Sequence, residues 1–247
     1  MPGWLRNPVG ALLLVVLLLG VVSTMTLAAD IGRPFGGYAS VNLFQPTGAI
    51  ISAETPIWWP IYRTRLDPNN QIDLVRANCR PYRPDARVVF MEAWAASESS
   101  VNLRIYSIDD RRWSNVQAPV LRFDFIYFLE LKLPEMIVGL CFWLLALVVL
   151  KAQPAELLNR IFAIAAALTA AHRWLALSSI WMDERFMPTL LTALFLTAAG
   201  IIGATLIHFA LLFPTPAKPW LRGLIVLAYT AGATCGLTMA VMRIPAF

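Results

Sequence analysis

The residues with the most chemical potential stand where an apolar chain can least afford them. His172 and Arg173 are adjacent inside the run from Ile161 to Trp181, and His208 is the only titratable group between Thr189 and Phe213. An ionisable side chain within a membrane span is by default a functional hypothesis, with its polar end turned towards a bundle interior or a water-filled cavity. The structural alternative is that Arg173 snorkels to the interface or pairs with an acid. A haem or metal shared by His172 and His208 would need both at one depth, whereas the helical rise separates them by about 9 Å along the membrane normal. No cofactor is expected.

Trp58-Trp59-Pro60 is a second candidate, either as core or as an exposed ligand surface for a peptide or small molecule. The three cysteines have no metal-ligand spacing. Cys79 is alone between residues 30 and 132, and Cys141 and Cys235 fall in apolar runs, so Cys79 reads as a buried thiol or as half of an intermolecular bridge. Phosphate-loop, zinc-protease and nucleophile-elbow motifs do not occur, and nothing argues for catalysis. Small residues recur at helical spacing: Gly232 with Gly236, Ala199 with Gly203, Gly200 with Ala204, and Ala163 with Ala167 and Ala171. Such stripes let helix backbones approach closely, within one bundle or between the two copies of a homodimer.

The elements that position these residues follow from composition. With 58% apolar and 14% charged residues and a mean hydropathy of +0.63, the chain belongs to the membrane class. The net charge of +5 does not point to nucleic acid, because residues 30 to 132 hold 12 Lys/Arg against 11 Asp/Glu. The excess lies in the apolar part, at Arg6, Lys151, Arg160, Lys218 and Arg222, with Glu156 opposing it. Thr189 to Phe213, closed by Pro214-Thr215-Pro216, is long enough to cross a bilayer, and the bases after it place that end inside.

That span orients five expected transmembrane helices. Residues 1–29 read as an uncleaved signal anchor, and the other spans lie at about 133–150, 161–181, 189–213 and 221–242 within a membrane module of residues 133–247. Pro134 and Glu135 suit the first turn of the second span. Trp4, Trp181 and Trp220 fall near expected interfaces. Residues 30–132 form an outer α+β domain, in which Val101, Leu103 and Ile105 alternate with polar residues, Asp109-Asp110 supplies a turn, and Arg112 to Val120 completes a hairpin. Arg87 to Ala96 suits a short helix or a buried strand, with helix favoured. Five spans that start inside finish outside, so the chain works with partners or is the front part of something longer.

Gly32-Arg33-Pro34-Phe35-Gly36-Gly37-Tyr38 beyond the first span, Arg122-Phe123 before the second, and His208-Phe209-Ala210-Leu211-Leu212-Phe213-Pro214 closing the fourth carry a resemblance. In layout the chain resembles the amino-terminal input region of multi-span bacterial signalling proteins such as sensor histidine kinases. Thr64 to Ile72 stands where that group has Gly-Leu-x-Pro-Gly-Asp-x-Ile, with asparagines at the turn. The resemblance implies a PDZ-like extracytoplasmic domain ahead of a helical module in the bacterial inner membrane. It also implies sensory input to an output enzyme; a non-enzymatic scaffold or accessory subunit is the alternative, and a transporter is third.

Overall fold

The computed structural model describes residues 8–41, 49–51, 56, 58–60, 71–73, 86–107, 112–176, 186–212 and 221–243. Cys79, the Thr64–Asn70 stretch, Trp4, Trp181 and Trp220 lie outside them. The chain divides into two compact units. A helical unit takes Met1–Met25, Pro134–Ser178 and Leu190–Ile244; a mixed unit takes Thr26–Leu133, Ser179–Thr189 and Pro245–Phe247.

In the mixed unit, five short strands form an antiparallel meander in sequence order: β2 (Ser40–Val41), β3 (Ala49–Ile51), β4 (Gln71–Asp73), β5 (Ser100–Ser107) and β6 (Arg112–Pro119). The hairpin expected from alternation is present, in register from Ser100↔Pro119 to Ser107↔Arg112. Val101 and Leu103 are buried and Asn102 between them is exposed, as a sheet with one covered face requires. The Arg87–Ala96 stretch is a helix, α2 (Ala86–Ala95), which covers the unit with Phe90 and Ala93. Its end is a Schellman motif: the amide of Glu98 donates to the carbonyl of Ala93 at 2.8 Å and that of Ser97 to Trp94 at 3.0 Å. Ser97 takes the left-handed position, with φ 55°, where glycine is the usual occupant.

A separate two-stranded ladder ties the end of α1 (Pro8–Ala28) to the start of α3 (Phe125–Ala152). Strand β1 (Pro34–Phe35) pairs antiparallel with β7 (Leu121–Arg122), and the ladder is extended by Gly32 donating to Phe123 at 2.7 Å and Phe123 donating to Arg33 at 2.8 Å. Gly32 has φ 94°, which lets the chain turn out of α1 into this ladder. Buried Asp30 pairs with Arg33 at 3.1 Å across the same turn.

The second span was expected to start at Leu133, with Pro134 in its first turn. Instead α3 starts at Phe125 and Pro134 lies in its interior. The cause is Asp124, whose Oδ1 accepts the amides of Ile126 at 2.9 Å and Tyr127 at 3.0 Å, an N-cap placed nine residues before Leu133.

In the helical unit, α4 (Leu157–Leu175) is the central element. Ala163, Ala166, Ala167, Ala170, Ala171, Trp174 and Leu175 form one buried cluster with Val9, Leu13 and Val16 of α1, Ala146 and Leu150 of α3 and Leu191 of α5 (Phe186–Leu212). The alanine stripe lets the neighbouring backbones come close. The first span is therefore a member of the bundle, not a bystander. Helix α6 (Leu221–Arg243) packs on α5 through glycine: a Cβ on Gly200 would collide with the carbonyl of Gly232, and one on Gly236 would stand 2.8 Å from Cα of Thr197. Gly203, expected in that seam, faces open space, because only the Gly200 row of the stripe is turned to α6. Thr24, Thr169, Thr197 and Thr205 return their hydroxyls to carbonyls three or four residues back at 2.8 to 2.9 Å, as apolar surroundings demand.

Among the described residues, three helical segments are long and apolar enough to cross a membrane: Pro8–Ala28, Phe125–Ala152 and Leu190–Leu212. They make this a membrane protein. Of the five spans expected, those at 161–181 and 221–242 are not among them: α4 has Asn159, Arg160, His172 and Arg173 bounding its apolar stretch, and α6 is likewise less apolar than these three.

Two outcomes follow. Ser97→Gly relieves the left-handed cost at the end of α2 and raises stability by about 1 kcal/mol in thermal unfolding. Gly232→Val destabilises the α5–α6 seam by about 1–3 kcal/mol, while Gly203→Val stays within about 0.5 kcal/mol of the parent in the same detergent melt.

Candidate functional site

The last turn of α4 carries two of the three polar residues singled out in the sequence, His172 and Arg173. His172 and Arg173 were expected within a span reaching Trp181; the described helix ends at Leu175, with the amide of Ala176 donating to the carbonyls of His172 and Arg173 at 3.1 and 3.3 Å. Basic side chains there complement the negative end of the helix dipole. The structural reading thus accounts for part of their presence.

Three consecutive residues each engage different neighbours. The His172 ring stacks on Phe195 of α5, with centroids 4.1 Å apart and planes at 13°, and its Nδ1 lies 3.4 Å from the Phe195 carbonyl. Arg173 reaches Glu135 of α3, Nη1 to Oε2 at 3.6 Å. Trp174 donates from Nε1 to the Met136 carbonyl at 3.1 Å. Its indole also fills a slot between two glycines: a Cβ on Gly20 of α1 would stand 2.5 Å from Cε3, and one on Gly139 of α3 would overlap the pyrrole edge.

Sequence reasoning missed Glu135, Gly20, Gly139 and Trp174 as parts of this site. In sequence Glu135 looks like an acid at a helix start, but the helix starts ten residues earlier at Phe125. A usable signal existed, because Glu135 is the one acid in residues 133–150, opposite the one arginine of the run from Ile161 to Trp181. The two glycines gave none, since their partner ring is more than thirty residues from Gly139 and far further from Gly20.

His208 belongs elsewhere, its Nδ1 3.2 Å from the hydroxyl of Tyr229 on α6 and its ring edge-on to that ring at 5.7 Å. The two histidines have separate partners. Among the described residues, no group of three or more His, Cys, Asp or Glu could hold a metal.

The tryptophan pair separates. Trp58 is 60% exposed, whereas Trp59 is fully buried and so is no ligand surface. Trp59 sits edge-on to Phe35 at 5.6 Å and to Tyr127 at 5.1 Å, and Phe35 in turn meets Phe123 at 5.5 Å and Tyr127 at 5.0 Å. Its Nε1 donates to Oε2 of Glu130 at 2.8 Å, which satisfies the indole inside the core. The Gly32–Tyr38 segment carries structure in the same way. Phe35 joins this aromatic cluster, and buried Tyr38 packs edge-on to Phe90 at 6.2 Å.

Trp59→Ala should cost about 3–5 kcal/mol in unfolding of the mixed unit, and Trp58→Ala less than about 0.5 kcal/mol. Burial holds the Tyr38 phenol far above its ordinary pKa. Above about pH 10 the unfolded chain loses this proton and the folded chain keeps it, so stability falls with rising pH, as an alkaline series of melts will read.

No protein-family model, curated protein or solved structure matches the chain.

Proposed function

We propose that the chain is the sensory input module of a bacterial signal-transduction protein in the inner membrane, with its mixed unit outside the cytoplasm. Five spans, α1 and α3 to α6, form the membrane module in this reading, and the basic residues Lys151, Arg160 and Arg222 mark its inner side. Helix α4 can serve as a span despite its polar ends because its neighbours, not lipid, cover its alanines.

One observation carries the proposal. Helix α3 continues unbroken through Lys132-Leu133, and its first turns are built into the core of the mixed unit through Tyr127, Phe128 and Glu130. A helix anchored in this way, without a flexible linker, can carry a change in the mixed unit into the segment that follows. A ligand would do so only by favouring one of two arrangements. The PDZ-like character rests on sequence resemblance; a peptide adding to an edge of the β2–β6 meander would be the corresponding binding mode.

A second reading, a scaffold or accessory subunit without output, is favoured by a different feature. Trp58, Val88, Met91 and Trp94 expose apolar surface on the mixed unit, of the kind that marks protein contact.

A Gly/Ser insert between Lys132 and Leu133, in a chain carrying its output domain, should abolish the ligand response without loss of membrane insertion. Retained signalling overturns the proposal. Reporter fusions after Lys151, Asp183, Lys218 and Phe247 should score inside, outside, inside, outside; any other order removes a span from the reading.

A further inference from the structure

Directly after Pro134, helix α3 presents one face to the last turn of α4. Glu135, Met136 and Gly139 fall within about 100° of the helix circumference, and they meet Arg173, Nε1 of Trp174 and the Trp174 ring in turn. Proline supplies no amide, so α3 lacks one main-chain hydrogen bond at the residue before this face begins, which is where helices bend.

The three contacts differ in strength. The indole is tightly held, because backbone stands on both sides of it and its one polar atom is bonded. The Glu135–Arg173 pair is loosely made. At 3.6 Å it is longer than a charge-assisted hydrogen bond, and Oε2 of Glu135 is buried with no hydrogen-bond partner among the described residues. The side chain of Glu135 is 18% exposed and that of Arg173 46%. A pair of this length, with Arg173 half exposed, holds the two helices together and can still be opened.

We infer that Pro134, the Glu135–Arg173 pair and the Trp174 wedge form a hinge and latch. Bending of α3 at Pro134 opens the ion pair, frees Glu135 and Arg173 to gain fuller partners, and draws Gly139 off the indole. Because the indole fits only against glycine, the wedge is either seated or displaced, so the contact has two states and not a continuum. His172 and Arg173 then act as positioning residues, joining the state of α3 to α5 through Phe195. This inference rests on the input-module reading for its purpose but not for its test.

The test is hydrogen exchange of the full chain in lipid nanodiscs, read by mass spectrometry on peptides covering 133–140 and 143–150. Glu135→Gln and Arg173→Gln should each speed exchange in the first peptide roughly tenfold and leave the second unchanged. The exchanged pair, Glu135→Arg with Arg173→Glu, should restore slow exchange. Pro134→Ala should slow the first peptide and remove the effect of Glu135→Gln. Unchanged exchange in both single variants, equal acceleration of both peptides, or no restoration by the exchanged pair overturns the latch; indifference to Pro134→Ala overturns the hinge. Since no output is measured, a failed latch leaves the linker-insertion result standing, and a failed linker insertion leaves the latch standing.

Discussion

The mixed unit depends on a ladder of only two residues per strand. Pairing of Pro34-Phe35 with Leu121-Arg122, extended through Gly32, Arg33 and Phe123, joins chain segments almost ninety residues apart. Strands this short do not hold by hydrogen bonds alone. What stabilises them is the aromatic cluster on one side, in which Phe35, Trp59, Phe123 and Tyr127 meet edge to face, each such pair adding about 0.5–1.5 kcal/mol beyond its buried area. Because Tyr127 and Glu130 belong to α3, the same cluster fixes the first turns of that helix, and Asp124 caps it there. The end of α1 and the beginning of α3 are thereby one construction with the domain between them.

The helical unit follows a different rule. Its most buried helix is α4, which is bounded by polar residues, while α1 and α3 are more apolar and turn much of their surface outwards. In water that order would be inverted, but in a bilayer the outer helices face hydrocarbon and the inner one faces protein. An alanine-rich helix with a charged last turn therefore belongs at the centre, where Glu135 and two backbone carbonyls receive its polar atoms. The proposed hinge and latch use this arrangement, since α4 is the helix that α1, α3 and α5 all touch.

Much of the fold was legible from periodicity. The apolar runs, that of the first span being Val9 to Ala29, gave α1, α5 and α6 to within three residues, and alternation gave the β5–β6 hairpin, because burial on one face imposes those patterns directly. The start of α3 was not legible, since an apolar run marks the hydrocarbon segment, whereas the helix obeys its cap at Asp124. The site was half legible. His172 and Arg173 stood out by cost, but Trp174 reads as one more apolar residue until Gly20 and Gly139 are seen on either side of it. Trp58 and Trp59 are alike in sequence and opposite in burial, which only the fold around Phe35 and Tyr127 separates.

The sequence by itself determined the class of the protein and where its long apolar helices run, because composition and period reflect the solvent each residue meets. It also marked the polar residues that an apolar environment must accommodate. Tertiary structure alone decided which glycines are contact points, which tryptophan is core, and that Glu135 is the partner of Arg173. Those are facts of long-range packing. They depend on how distant backbones approach one another, and local composition carries no record of that distance.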